Sequence, residues 1–115
     1  MSVAKIRSGL QSRKEGLPAE AFAIVGDPGD PATWKLPHHT RAIFRALNGR
    51  LDSERTVDWQ RMATAVAALS PGGYRGRRVE ATPEQILAAA RHLASHYQKA
   101  RRELPSTLTD LLEHS

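Results

Sequence analysis

The stretch that decides the fold is ATPEQILAAARHLASHYQKA, residues 81 to 100, because it carries the clearest helix signal in the chain. Thr82 is a helix N-cap, Pro83 takes the first helical position, and Gln85 stands three residues after the cap, which forms a capping box. Apolar side chains then recur at helical spacing and predict a core-facing stripe of Ile86, Ala90, Leu93, Tyr97 and Ala100. We predict a helix from Thr82 to about residue 103, with its charged side chains on the opposite side.

Helical spacing also predicts elements on both sides of this stretch. One short helix begins at Thr40 and ends near Gly49, with an inward side formed by Ala42, Ile43, Ala46 and Leu47. A second covers about residues 57 to 69, with an apolar stripe of Trp59, Met62, Ala63, Val66 and Leu69. After Pro105, the segment STLTDLLEH predicts a last amphipathic turn or two through Leu108, Leu111 and Leu112.

Two short apolar runs before these helices are typical of β-strands. AFAIV at residues 21 to 25 and TWKLP at residues 33 to 37 flank a loop rich in Asp, Gly and Pro, which predicts an antiparallel hairpin. Such a loop carries Asp27 and Asp30 as turn formers far more often than as calcium ligands. A two-stranded hairpin is not stable alone in water, so its apolar side chains must pack on the helices. The predicted fold class is therefore α+β, mostly α, with three to four helices and one short hairpin.

Length and composition restrict the organisation and the chemistry of the chain. The 115 residues fit one domain, which we place at residues 17 to 115, after a basic and flexible tail at residues 1 to 16. The absence of cysteine excludes disulfides, thiolate zinc sites and thiol nucleophiles. With no apolar run of about 20 residues and no signal-peptide pattern, we expect a cytoplasmic protein without a membrane partner.

Four of the five histidines have metal-ligand spacing. His92 and His96 are four residues apart on one helix and can share a zinc ion, while His38 and His39 follow the hairpin. However, RHLASHY lacks the Glu that serves as general base in zinc peptidases. The ordinary interpretation is that His92 and His96 are partly exposed beside the core. In that interpretation one ring of the His38–His39 pair is solvated. We predict no cofactor and keep a His-rich metal-binding domain as an alternative.

The segment SPGGYRGRRVE, residues 70 to 80, predicts a contact with nucleic acid. Guanidinium groups suit phosphate oxygens, a tyrosine ring can stack on an unpaired base, and Gly residues free the backbone. The formal charge of +5 also favours polyanions. The predicted nucleic-acid-binding residues are Tyr74, Arg75, Arg77 and Arg78 in this loop and Lys5, Arg7, Arg13 and Lys14 in the tail. DNA is favoured over RNA. In the alternative, the loop is a flexible connection whose arginines are solvated or pair with Glu80 and Glu84.

The sequence contains few candidates for a catalytic residue. No serine stands in a nucleophile-elbow pattern, and no local group of base and orienting acid accompanies one. We predict that the protein is not an enzyme and has no catalytic residue.

The order of several pieces resembles a small domain of unknown function found in bacteriophage and prophage genes. The pieces are LPAEAFAIV at residues 17 to 25, WKLPHH at 34 to 39, MATAVAALSPGGYRGRRV at 62 to 79 and AAARHLASHY at 88 to 97. That domain occurs alone or attached to head-maturation proteases and other head-morphogenesis proteins. The resemblance implies a non-enzymatic accessory module of a phage or mobile element and transfers no active site. The partner is then nucleic acid or, alternatively, another protein in phage head morphogenesis.

Overall fold

The protein is described by a computed structural model that covers residues 13 to 113. Over these residues the chain forms a two-stranded antiparallel sheet and four α-helices, which confirms the predicted α+β, mostly α, class. The strands are β1 (Phe22–Val25) and β2 (Trp34–Pro37), and the helices are α1 (Ile43–Leu47), α2 (Trp59–Leu69), α3 (Pro83–Lys99) and α4 (Ser106–Glu113). No helix in this part of the chain is long and apolar enough to cross a membrane.

The two strands pair antiparallel, as predicted, and the loop between them is structured. Phe22 pairs with Pro37 and Val25 pairs with Trp34 across the two strands. In the loop, the Asp27 and Asp30 carboxylates accept hydrogen bonds from the backbone amides of Gly29 and Ala32, so both acids act as turn formers. The indole of Trp34 donates to the carbonyl of Asp27 at 2.8 Å and is fully buried. Trp34 therefore ties the loop to the strand that follows it.

The hydrophobic core consists of two clusters that meet at the hairpin. The helical cluster joins Ile24 to the inward side chains of α2, α3 and α4, among them Met62, Leu69, Leu93 and Leu108. The hairpin cluster is smaller and contains Leu17, Ala21, Phe22, Trp34 and Ile43. The prediction that the apolar side chains of the hairpin pack on the helices holds for Ile24 and Leu36, which contact the helical cluster. Phe22 and Trp34 pack in the smaller cluster, to which α1 contributes Ile43.

The inward faces of α1 and α2 differ from the predicted stripes at particular residues. In α1 only Ile43 is buried, and Leu47 is exposed because the helix has only five residues and none of residues 13 to 113 covers its last turn. Asp58 accepts from the amides of Gln60 and Arg61 and starts α2 at Trp59, not at residue 57. On α2 the buried alanine is Ala65, and Ala63 is exposed.

Helix α3 begins as predicted and ends earlier. Thr82 and Gln85 form both hydrogen bonds of the capping box. The helix ends at Lys99 because Arg101 adopts a left-handed conformation, with φ of 58°. The amide of Arg102 then donates to the carbonyl of Tyr97 at 2.8 Å, which closes a Schellman motif. The prediction that the helix continues to about residue 103, with Ala100 in its buried stripe, was wrong, because this motif ordinarily needs glycine and the sequence offers none there.

Candidate metal centre

Four histidine rings from two distant parts of the chain meet between the two core clusters. The end of β2 supplies His38 and His39, and one face of α3 supplies His92 and His96, one helical turn apart. Five of the ring pairs have centroids between 4.4 and 5.1 Å apart. The sequence spacing identified these four residues, and the fold brings them together.

The ordinary interpretation of these residues was wrong for His96 and for one ring of the His38–His39 pair. His38, His39 and His96 are 0%, 3% and 4% exposed, so no ring of the His38–His39 pair is solvated and His96 does not lie at the edge of the core. Only His92 is exposed, at the rim of the cluster. Burial of three polar rings requires a partner for each of their nitrogens, and the hydrogen bonds of each ring show which nitrogen is already satisfied.

His38 is oriented by an unusual backbone conformation at the end of the hairpin. Leu36 has a φ of 66°, and its carbonyl lies 3.1 Å from Nδ1 of His38. A carbonyl only accepts, so Nδ1 carries the proton and Nε2 carries the free lone pair. The backbone of His38 is also held on both sides, since its amide donates to Ala21 and its carbonyl accepts from Asp58.

His39 is oriented through a threonine hydroxyl. The hydroxyl of Thr56 donates to the carbonyl of Ser53 at 2.7 Å, so its proton is already used. Oγ1 of Thr56 therefore accepts from Nδ1 of His39, at 2.7 Å, and Nε2 of His39 is unprotonated. The amide of Thr40 donates to the carbonyl of Thr56 at 2.7 Å and holds the two segments side by side.

His96 is oriented by a carboxylate. Nδ1 of His96 lies 2.9 and 3.1 Å from the two oxygens of Glu54, which only accept. Nδ1 therefore carries a proton, and in the neutral ring the lone pair is on Nε2, which faces His92. Nζ of Lys99 is 3.8 Å from the same carboxylate and partly balances its charge. A histidine whose other nitrogen donates to a carboxylate is the usual arrangement behind a metal-bound imidazole.

Ring nitrogens of His38, His39 and His96 are close enough to share one ion, and His92 lies beside two of these rings. Nε2 of His92 is 3.1 Å from Nε2 of His38 and 3.3 Å from Nε2 of His96. Tetrahedral zinc with bonds of 2.0 to 2.1 Å separates its ligand nitrogens by about 3.3 Å. One ring nitrogen from each of His38, His39 and His96 also lies within 4.8 Å of the others. A proton on Nε2 of His92 can satisfy only one of its two neighbours, so the cluster has more acceptors than donors.

The environment of His38, His39 and His92 favours the neutral imidazole, which is the form that binds metals. Burial, reinforced by the neighbouring His39, lowers the pKa of His38 to about 2. Burial and the nearby His96 lower the pKa of His39 to about 4. The pKa of His92 is lowered for the same two reasons, partly opposed by Glu54. At neutral pH no proton has to leave Nε2 of His38 or His39 before a cation binds, whereas the proton on Nε2 of His92 must move to its Nδ1.

The residues that orient the rings were not found from the sequence. Glu54 and Thr56 lie in a 3-10 helix, Ser53–Thr56, between α1 and α2, in a segment without an apolar pattern. Their sequence separations from the rings that they hold are 42 for Glu54 and 17 for Thr56. No local motif marks either residue, and only the folded chain brings them to the histidines.

The predicted arginine loop contains a defined turn. Tyr74 and Arg77 exchange backbone hydrogen bonds of 3.0 Å around Arg75 and Gly76, both with positive φ, which is a type I′ turn. A side chain at Gly73 would come within 2.1 Å of the backbone of Arg77, so glycine is required there. The loop places Tyr74, Arg75, Arg77 and Arg78 at the surface.

The loop arginines do not form the predicted alternative ion pairs. Among the described residues, no ion pair joins Arg75, Arg77 or Arg78 to Glu80 or Glu84. The guanidinium of Arg75 lies 5.2 Å from the ring of Tyr74, and Nε of Arg78 donates to the carbonyl of Leu69. These arginines retain donor groups that are free for an external anion.

The predicted basic residues of the tail lie apart from this loop or outside the described part of the chain. Lys14 donates to the carbonyl of Trp34 at 2.7 Å, and the guanidinium of Arg13 lies 4.6 Å from the ring of Phe44. Both cations thus contact the domain. Lys5 and Arg7 belong to residues 1 to 12, which are outside the described residues.

Comparison of the chain with protein-family models, with curated proteins and with solved structures found no match in any of the three. The resemblance to a phage domain therefore stays a prediction, as does the prediction that the protein is not an enzyme. The geometry of the histidines and of the basic loop is what supports a function.

Proposed function

We propose that the protein binds one divalent transition-metal ion, Zn²⁺ first among them, through Nε2 of His38, His39, His92 and His96. The observation that carries the proposal is the fixed direction of the rings: His38, His39 and His96 each donate Nδ1–H to a protein acceptor. Each thus offers a lone pair on Nε2, and a cation is the partner that satisfies several converging lone pairs at once.

The ligand chemistry favours zinc or a neighbouring metal over calcium or magnesium. Imidazole nitrogen suits Zn²⁺, Cu²⁺, Ni²⁺ and Fe²⁺, whereas Ca²⁺ and Mg²⁺ take oxygen ligands. Four neutral ligands leave the full charge of the ion in a mostly buried place, and the carboxylate of Glu54 behind His96 partly compensates it. With four protein ligands the coordination is closed, which is typical of structural zinc sites and not of catalytic ones.

A metal at this position would stabilise the attachment of the hairpin to the helices. The hairpin cluster around Phe22 and Trp34 is small, and His38 and His39 extend directly from β2 toward α3. Ligands on both β2 and α3 would join the two core clusters through one ion. Since the unfolded chain has no preformed site, the free energy of binding adds to the stability of the folded state.

Metal titration of the full chain tests this function. After removal of bound metal with a chelator, Co²⁺ should bind one ion per chain and produce the visible absorption of tetrahedral cobalt, which Zn²⁺ then abolishes by displacement. Zinc at about 100 times its dissociation constant should stabilise the protein by about 2.7 kcal/mol. For a domain of this size, that corresponds to a rise in melting temperature of about 10 °C or more.

Histidine variants separate this site from incidental binding. His38→Ala should abolish the cobalt absorption, and His92→Ala should weaken it less, because His92 is exposed and its Nδ1 has no acceptor among the described residues. His114→Ala, the remaining histidine of the chain, is the matched control and should bind like the wild type. If the wild type binds no metal at micromolar concentration, or if all three variants lose binding equally, the proposal is wrong.

A second candidate function is binding of nucleic acid by the arginine loop. It is supported by the exposed, unpaired guanidinium groups of Arg75 and Arg77 beside the exposed ring of Tyr74. Retention on DNA-cellulose that falls steeply with salt, and that is lost when Arg75, Arg77 and Arg78 become alanine, would support it. Elution at low salt would favour the alternative of a protein partner, including one in phage head morphogenesis.

A further inference from the structure

A groove separates the arginine loop from the hairpin and is lined by Arg61. Its walls are the end of β2, including Lys35 and Pro37, and the loop from Tyr74 to Glu80, and its floor is one face of α2. The groove has a volume of about 660 Å³. That volume is in the usual range for a site that holds a small ligand or one segment of a larger partner.

Arg61 on the floor of the groove is incompletely satisfied. Its Nη1 is buried and has no hydrogen-bond partner within the described part of the chain. Nη1 lies 3.8 Å from a carboxylate oxygen of Glu15, and Nε lies 3.8 Å from one of Asp58, which are ion-pair distances without hydrogen bonds. The Arg61 side chain as a whole is 42% exposed. A buried donor without an acceptor is unfavourable, and an anionic oxygen from outside would satisfy it.

The other side chains of the groove provide cations at its edges and an apolar surface between them. Lys35, Arg77 and Arg78 line it together with Arg61, against the two carboxylates of Glu15 and Glu80. Between the charges lie Leu36, Pro37, Ala65, Ala68 and Val79, and the exposed ring of Tyr74 stands at the rim. An occupant that complements this surface carries repeated negative charges and flat apolar groups.

We infer that this groove binds single-stranded nucleic acid, with a phosphate at Arg61 and a base against Tyr74 and the apolar wall. The inference deepens the second candidate function and names Lys35 and Arg61 as contacts that the loop alone does not provide. A single strand is favoured over a duplex because the surface is concave and a tyrosine ring at its rim can stack on an unpaired base. It is favoured over an acidic peptide because Tyr74 offers a stacking face beside the cations.

Binding of labelled oligonucleotides tests the groove separately from the overall charge. Fluorescence anisotropy with single-stranded oligo-dT and oligo-U of equal length, over a salt series, measures affinity and the number of phosphates contacted. Arg61→Gln should weaken binding by about tenfold and reduce the salt slope by about 0.7, the value for one phosphate on a single strand. Arg77→Gln should act in the same direction. The dT and U probes distinguish DNA from RNA as the source of the strand.

Matched charge removals outside the groove provide the control. Arg45→Gln and Arg50→Gln change the same charge at exposed positions in and after α1, which do not line the groove, and should alter the affinity less than twofold. Circular dichroism and zinc binding should be unchanged in Arg61→Gln, which excludes unfolding. If all four variants lose affinity equally, the groove is not the binding site, and the protein binds nucleic acid through its overall charge.

Three other outcomes would overturn the inference in different ways. If no oligonucleotide binds at about 0.1 M salt, the second candidate function itself fails together with the groove. If a labelled acidic peptide binds to the wild type but not to Arg61→Gln, and oligonucleotides do not compete with it, the groove is a peptide site. If oligonucleotides bind and only Arg75→Gln weakens them, the loop binds nucleic acid without the groove.

Discussion

Replacement of Glu54 by glutamine should weaken zinc binding without unfolding the metal-free protein. The carboxylate accepts from Nδ1 of His96 through both oxygens, at 2.9 and 3.1 Å. Glu54→Gln keeps one carbonyl that can accept this hydrogen bond and removes the negative charge. The fold of the metal-free chain therefore loses little, whereas an ion bound to His96 loses the charge behind its ligand.

The size of the effect follows from the geometry. A negative charge across the imidazole ring lies about 6.5 Å from an ion of charge +2, so Coulomb's law gives about 1 kcal/mol in water and about 5 kcal/mol at an effective dielectric constant of 20. The lower end applies, because the Glu54 side chain is 25% exposed and Lys99 lies 3.8 Å from it. About 1.4 kcal/mol corresponds to a tenfold rise in the dissociation constant, within the range for loss of a residue behind a metal ligand.

Competition of the protein with a chromogenic zinc chelator measures this dissociation constant. Glu103→Gln is the matched control, since it removes one exposed carboxylate outside the histidine cluster. We expect a tenfold weaker affinity for Glu54→Gln, an unchanged affinity for Glu103→Gln, and equal melting temperatures of the metal-free proteins. An affinity of Glu54→Gln within twofold of the wild type would refute the reasoning, because His96 would then not be a ligand oriented by Glu54.

Three further predictions test the same structure. Thr56→Val should weaken zinc binding about tenfold, because Nδ1 of His39 loses its acceptor, and Thr56→Ser should retain wild-type affinity in the same chelator assay. In the metal-free protein, folding lowers the pKa of His38 from 6.5 to about 2 and that of His39 from 6.5 to about 4. Below pH 6.5 the unfolded chain therefore binds more protons than the folded chain. The free energy of unfolding should therefore be highest above pH 6.5 and fall on acidification toward pH 4, by about 1.4 kcal/mol per pH unit for each ring. Urea unfolding at several pH values will measure this decrease. The titratable groups next to the two rings are His92, His96 and Glu54. Thr82→Ala should cost about 1 kcal/mol by loss of the cap of α3, seen as a melting temperature lower by several degrees, and equal stability of the variant would contradict the cap.

Elements that rest on local signals could be predicted from the sequence. The capping box at Thr82 and Gln85 is a local chemical pattern, and the structure has both of its hydrogen bonds. The hairpin follows from two apolar runs around a turn-rich loop, for the same reason. Where the local signal is weak, the prediction fails. A left-handed Arg101 ends α3 early, and a five-residue α1 leaves Leu47 exposed.

The histidine cluster shows what local patterns leave undecided. The spacing of His92 and His96 identified them as possible partners, but whether His38 and His39 reach the same point depends on how β2 packs beside α3. Burial was mispredicted for the same reason: whether His96 is buried depends on a neighbouring segment that covers it, not on its place in the helix. Glu54 is invisible in the sequence because it is 42 residues from the ring that it orients.

The sequence by itself determined the fold class, the start of α3, the hairpin and the identity of the four histidines, since each of these rests on residues close together in the chain. Only the tertiary structure decided which ring nitrogens face one another, that Arg61 lies in a groove beside the arginine loop, and that three histidines are buried. These features depend on contacts between distant segments, and such contacts are set by packing of the whole chain.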